Sequence, residues 1–314
     1  MKIVYMGTSE FAVPALLALV EKYNVLAVVT QPDRPKGRSG KPAPPPVKQA
    51  AVSLGLPILQ PISAKKKAFY EQLSELNADL FIVASYGQIL SERILNLPKY
   101  GCINIHASIL PKHRGASPIQ TAIINGDSIS GVTIMQMDKG TDTGDILHVV
   151  ETPIHPDDTA QTLHDRLSQL GGEAILEALN KLEAGELNPK KQDNNLASHA
   201  GLLTKEMGSI DWCKSPRDIV NLVRGLDPWP GAFTILDDHV LKIWKAETAD
   251  IPLPPKTKSG EIIAANSNGL IVCAGSAESK GAIRLSEIQA PGSKRMADTD
   301  YLKGRKIHIG SILT

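Results

Sequence analysis

Residues 101–108 read Gly101-Cys102-Ile103-Asn104-Ile105-His106-Ala107-Ser108, and the fold class turns on how this run is placed. Side chains alternate across a strand, so Cys102, Asn104 and His106 share one face while Ile103 and Ile105 bury in the other. Short apolar runs occur also at 2–6, 25–30 and 80–84, separated by helix-like segments. That alternation predicts an α/β domain, a Rossmann-like parallel sheet covered by helices. Such a sheet carries its ligand crevice at the carboxyl ends of its strands, where His106 stands and residues 109–118 leave as a loop.

A further strand at 131–138 runs into Lys139-Gly140-Thr141-Asp142-Thr143-Gly144-Asp145-Ile146, a glycine-punctuated turn that exposes two carboxylates. Asp142 is placed to reach His106 and orient its ring. Taken singly, each residue has a plainer alternative: a hydrogen-bonded structural histidine, and an aspartate closing an Asx-turn in solvent. At the amino end, Gly7-Thr8-Ser9-Glu10-Phe11 follows the first strand as phosphate loops do. It lacks the three-glycine dinucleotide fingerprint and the Lys-Ser/Thr ending of a phosphate loop, so hydride transfer and nucleotide hydrolysis lose support. A tight strand-to-helix turn explains it equally.

The periodicity of 159–183 predicts a helix that closes the first domain, with Asp157 or Asp158 as its N-cap. From 184 to 209 the pattern fades into the composition of an exposed connection. The expected organisation is a first domain over 1–189, a linker over 190–205 and a second domain over 206–314. In the second, a helix at 218–226 precedes five short strands at 232–236, 240–247, 260–265, 269–273 and 283–288, with a hairpin signal at Ser267-Asn268-Gly269. Five short strands fit a small OB-like β-barrel, a fold that often holds oligonucleotides; a plain β-rich stabilising domain fits the same pattern.

Composition narrows the function. A chain of 314 residues exceeds the usual size of one hydrophobic core. Aromatics make up only 4%, too few for a base-stacking platform, so any RNA binding must rest on charge and shape. The net charge of +1 gives no global pull toward phosphate or membrane. Cys102, Cys213 and Cys273 lie far apart, which argues against a metal site, a dithiol or a disulfide framework and fits a reducing cytoplasm. No leader peptide is expected, since strand-like sequence begins at Lys2, and the apolar run 12–20 is too short to cross a bilayer. One segment does concentrate charge: Arg34, Lys36, Arg38, Lys41 and Lys48 lie in a Pro/Gly-rich loop with no carboxylate from 34 to 48. A phosphate partner is one reading and solvated charge the other.

Together these segments resemble the folate-dependent formyltransferases, and the match spans nearly the whole chain. It rests on Met6–Ala12, the 31–48 loop, Ser85-Tyr86-Gly87-Gln88, Asn104–Ser108, Leu110–Ile119 and Asp138–Asp145. The basic loop and Gly225-Leu226-Asp227-Pro228-Trp229-Pro230-Gly231-Ala232 look like the members that act on tRNA rather than on smaller amines. The resemblance implies that Asn104, His106 and Asp142 are catalytic. It also implies a folate pocket lined by Ser85, Tyr86, Gly87, Gln88, Ile89 and Leu90 with Ser108, Leu110 and Pro111. The donor would be 10-formyltetrahydrofolate with no metal, and the acceptor the amine of methionyl initiator tRNA, met by Arg34, Lys36, Arg38 and Lys41. A monomer is expected. Two places depart from the family pattern: Gly201-Leu202-Leu203 stands where many members read Ala-Pro-Lys, and Thr121 where many carry Trp. No linker lysine is therefore assigned to tRNA. The rival readings are a transferase acting on a sugar-nucleotide amine, a formylfolate hydrolase, and a non-catalytic RNA-binding module.

Overall fold

The computed structural model describes residues 1–35, 40–276 and 279–314. The chain divides into two compact units. One comprises Met1–Pro118, Ile129–Pro153 and His164–Ala200, the other Ile119–Ser128, Ile154–Leu163 and Gly201–Thr314.

The first unit is built on a seven-stranded sheet whose strands are β1 (Lys2–Gly7), β2 (Asn24–Val29), β3 (Ile58–Leu59), β4 (Leu80–Ala84), β5 (Cys102–His106), β6 (Ile129–Gln136) and β7 (Ile146–Pro153). Their order across the sheet is β7-β6-β5-β4-β1-β2-β3. Strands β1 to β5 pair in parallel. Every residue of β4 is buried, as expected of a strand covered on both faces. Val4, Met6, Phe81, Val83 and Cys102 pack with Phe69, Leu73 and Ile94 from the helical side. The parallel expectation fails at the edge: β6 pairs antiparallel with both β5 and β7. Alternation patterns carry no strand direction, so the sequence could not show this.

The long helix Ala160–Ala184 starts one residue later than the Asp157 or Asp158 cap predicted. Thr159 takes that place: its hydroxyl accepts from the Thr162 N–H at 3.3 Å, while Thr162 Oγ1 accepts from the Thr159 N–H at 3.0 Å. Asp158 instead folds the preceding turn, accepting from the His155 N–H at 2.7 Å.

The second unit carries six antiparallel strands: β8 (Ala232–Leu236), β9 (His239–Ala249), β10 (Ile262–Asn266), β11 (Gly269–Ala274), β12 (Gly281–Gln289) and β13 (Met296–Ala297). The order is β8-β9-β12-β11-β10, with β13 on β12. Two open edges would remain, and the C-terminal tail covers both. Thr314 exchanges hydrogen bonds with Ile235 on β8, while Ser311 O and Leu313 N bond Ile262 N and Gly260 O beside β10. The tail thereby pairs part of each edge of the sheet. Inside lie Trp212, Ile219, Val223, Ile243, Leu270, Val272, Leu285 and Ile288.

The helix Pro216–Gly225 is capped by Ser215, whose Oγ accepts from Asp218 N. It explains why 119–128 and 154–163 belong to this unit. A β-carbon on Gly225 would meet Ile124 at 2.6 Å, and Arg224 Nη1 donates to the carbonyls of His155 and Asp158 at 3.0 and 3.2 Å.

Candidate active site

Strand β5 ends with its polar face presented to two loops. Cys102 begins that face fully buried, and burial pushes its thiol up to about 12, so it packs as a small apolar side chain and is no nucleophile. Asn104 is half-buried and His106 is buried. His106 Nε2 lies 3.0 Å from the His113 carbonyl oxygen. A carbonyl only accepts, so Nε2 carries the proton and Nδ1 holds the lone pair.

That lone pair faces a carboxylate. Asp142 Oδ2 lies 3.6 Å from His106 Nδ1, and the two side chains are 15% and 6% exposed. The same oxygen accepts from the Gly115 N–H at 2.8 Å, and Oδ1 stands 3.5 Å from Asn104 Nδ2. Burial pushes the imidazole below its ordinary value, and the negative charge of Asp142 opposes that fall. The ring is therefore held neutral at neutral pH, with a carboxylate ready to receive it as a cation. The structure brings Asn104, His106 and Asp142 together, although Asp142 lies 38 positions from Asn104 in the chain.

The loop after β5 is tied down locally. Ser108 Oγ donates to the Lys112 carbonyl at 2.6 Å. Thr133 on β6 bridges the loop, donating to Ser108 O at 2.6 Å and accepting from Leu110 N at 3.1 Å. Leu110 is buried. Gly115 has a φ of +121°, and a β-carbon there would run into the Ala200 carbonyl. Pro111 accepts from the Ser198 N–H through its carbonyl at 3.3 Å.

The loop after β4 lies beside this centre, because Val83 pairs with Asn104. Ser85 turns out of the strand with a φ of +46°, and its Oγ accepts from Ser9 Oγ at 2.8 Å. Ser85, Tyr86 and Gly87 line a cavity of about 450 Å³ with Thr8, Ser9, Gln31, Arg34 and the proline-rich run 43–46. Gln88 points elsewhere and joins this loop to its neighbour, accepting from Ala64 N at 2.7 Å and donating to Pro61 O at 3.1 Å. Ile89 is 78% exposed, whereas Leu90 is buried in the core beside Phe69 and Leu73.

Of the predicted tRNA contacts, Arg34 is exposed and donates to Gln31 Oε1 at 3.2 Å. Lys41 is exposed beyond the pairing of Arg34–Pro35 with Pro42–Ala43. Lys36 and Arg38 lie outside the described residues. No cluster of three or more metal-ligating side chains occurs among the described residues, and no described helix is long and apolar enough to cross a membrane.

Sequence reasoning missed the residues that brace the site from afar, namely Gln192, Asn194 and Ser198. Ser198 Oγ accepts from His113 N at 2.9 Å, and His199–Ala200 pairs with Arg114–Gly115. Their polar, aperiodic stretch carries no signal that distinguishes a brace from a connection.

The formyl transferase family matches residues 1–179, and the C-terminal domain of formyl transferases matches 202–306. The chain is 49% identical to the methionyl-tRNA formyltransferase of Caldanaerobacter subterraneus subsp. tengcongensis over the whole of both chains. It is 47% identical to that of Citrifermentans bemidjiense, covering all of this chain and 96% of the relative. Among solved structures, the sugar 3N-formyl transferase WlaRD, determined with dTDP and 5-N-formyl-THF, has a TM-score of 0.66 at 21% identity, covering 94% of this chain and 99% of that one. The methionyl-tRNA formyltransferase from Clostridium thermocellum has a TM-score of 0.57 at 20% identity, covering 80% and 95%. These two show a shared fold. With a family match over more than half its length and relatives near half identical from end to end, the chain belongs to the formyl transferase family.

Proposed function

We propose that this protein transfers the formyl group of 10-formyltetrahydrofolate to the amino group of methionyl initiator tRNA. The observation that carries the reading is the 49% identity to a methionyl-tRNA formyltransferase along the full length of both chains, second domain included. A hydrolase or a sugar-nucleotide transferase would share the first domain's chemistry but has no need of a basic 34–48 loop.

In this reading Asn104, His106 and Asp142 form the reacting centre. As the amine adds to the formyl carbon, the formyl oxygen gains negative charge, and Asn104 Nδ2 supplies a neutral donor beside it. His106 Nδ1 accepts the proton that the amine loses, and Asp142 stabilises the imidazolium so formed. The same proton then passes to the folate nitrogen as its bond to the formyl carbon breaks. The Nε2 proton is given to the His113 carbonyl, which supports Nδ1 as the nitrogen that exchanges protons in this reading.

Ser85, Tyr86, Gly87 and Ile89, with Ser108, Leu110 and Pro111, would hold the folate, and Gln88 and Leu90 would support that loop from behind. The fit rests on Ile89: a large apolar side chain 78% exposed on the loop next to the trio offers a surface that a ring would cover. Arg34 and Lys41, with Lys36 and Arg38, would meet the phosphates of the acceptor end.

The test is incubation with 10-formyltetrahydrofolate and methionyl-tRNA, initiator or elongator. Formylation of the initiator form is expected. Release of formate without formylated tRNA would indicate a hydrolase, and tRNA binding with no folate consumption would indicate an RNA-binding module.

A further inference from the structure

Gln192 lies 50 positions beyond Asp142, in a stretch of unremarkable polar composition. Its side-chain amide uses every hydrogen-bonding position it has. Nε2 donates to the carbonyls of Asp142 and Gly144 at 2.9 and 2.7 Å. Oε1 accepts from Arg114 Nε and Nη2 at 3.1 and 2.8 Å. An amide has two donors and two acceptor lone pairs, and the partners fix its orientation: two carbonyls on one side, a guanidinium on the other.

The other end of this bridge is equally fixed. Arg114 is 5% exposed, donates also to Asn194 Oδ1 at 3.0 Å, and its backbone N–H donates to Ser198 O at 2.9 Å. The next residue, Gly115, gives its N–H to the Asp142 carboxylate. Asp142 is thus gripped twice, at its carboxylate by Gly115 and at its carbonyl by Gln192, and the hydrogen bonds between Arg114 and Gln192 tie the two grips together. It needs this grip, because its φ is +53°. A non-glycine residue in that region is strained and persists only where its surroundings hold it.

We propose that Gln192 is a positioning residue for formyl transfer, its amide tying the buried Arg114 to the backbone of Asp142 so that the carboxylate stays against His106 and Asn104. The proposal rests on the reading of those three side chains as the reacting centre. Gln192 touches neither substrate. Its loss lets the 139–145 turn relax from the left-handed geometry and carries the carboxylate away from the imidazole, with little effect on substrate binding.

Two variants separate the two halves of the amide. Gln192→Ala removes both. Gln192→Glu keeps oxygen acceptors for Arg114, and so retains the fold, but cannot donate to the two carbonyls at neutral pH. Both are expected to lower kcat on the order of a hundredfold, the scale of a misplacement of about 1 Å, with KM for donor and tRNA within about threefold of wild type. Asp142 and His113 are the charged or titratable groups that face the His106 ring, and only Asp142 is displaced, so the acid limb of the kcat profile moves to lower pH in Gln192→Ala. A kcat within threefold of wild type in Gln192→Glu overturns the proposal, as does a loss confined to KM or an unmoved pH limb. Asp142→Asn is assayed in parallel. Full activity there overturns the reading of the centre and this proposal with it; inactivity there with active Gln192 variants overturns this proposal alone.

Discussion

Replacing Asp142 by Asn tests the charge relation at the centre with almost no change of shape. The Asn oxygen can still accept from the Gly115 N–H, so the backbone anchor survives. What disappears is a negative charge 3.6 Å from His106 Nδ1, between side chains that are 15% and 6% exposed. At an effective dielectric near 20, that interaction is worth about 4 kcal/mol to the imidazolium. Converted at 1.36 kcal/mol per decade, it corresponds to a loss of up to about a thousandfold in the step that loads the proton on Nδ1. Single-turnover formylation at saturating folate and tRNA reads that step directly.

The pH profile carries the sign. With His106 as the proposed base, the rate falls as pH drops through its folded value, and removing Asp142 takes away the charge that opposes burial and lowers that value further. The plateau is therefore expected to fall by two to three decades, on the order set by the Coulomb figure above, while the acid limb moves to lower pH. A folded variant with a plateau within threefold of wild type, or a limb displaced upward, would refute the reasoning.

Asn104→Ala should lower kcat by about a hundredfold, the usual loss for one oxyanion donor, with tRNA binding unchanged in a filter or mobility-shift assay. Arg34→Ala should raise the tRNA concentration needed for half-maximal rate, most at low salt and less as salt rises, and leave KM for folate alone; parallel curves at every ionic strength would remove Arg34 from the interface. Asp298→Ala should destabilise the second unit by about 3 kcal/mol, the low end for a broken buried pair because Arg284 keeps a third of its side chain exposed, and a melt of the full chain reads the loss. For Asp298, burial acts to raise the carboxyl, but the Arg284 hydrogen bonds and the N–H groups of Leu270 and Thr299 outweigh it and lower the folded value. Its contribution is accordingly full above the unfolded carboxylate range near pH 4 and fades as pH falls through the folded value, so the wild-type and variant melting curves should converge only in acid.

Strand periodicity was enough to place Asn104 and His106 on one face, since a period of two leaves no choice once the strand is recognised. The glycines around Asp142 gave the turn. Local sequence did not reveal which way β6 runs, nor that the terminal residues would pair with both edge strands of the second sheet, because both depend on partners far along the chain. The helix cap at Thr159 was missed by one position because Asp157, Asp158 and Thr159 are all good caps by type, and only hydrogen bonds choose among them. Gln192 was unreadable for a different reason. A saturated amide is valuable here through the four atoms around it, none of which lies near it in sequence.

The antiparallel direction of β6 explains why such a brace exists at all. Because β6 runs against β5, the chain leaves β6 where β5 begins, with Met137 N–H donating to Cys102 O. His106 is at the other end of β5. To bring a carboxylate to its ring, residues 138–145 must double back over the strand, and β7 must then restart at Ile146, opposite Met135. The reversal uses a left-handed residue, Asp142 itself, with Gly144 folded so close to Gln136 O that a β-carbon would not fit. The geometry that delivers the carboxylate is therefore the geometry least able to hold itself. Hydrogen bonds from Gly115 and Gln192 supply what the turn lacks, which is why the segment leading toward the second unit runs along the centre before it departs.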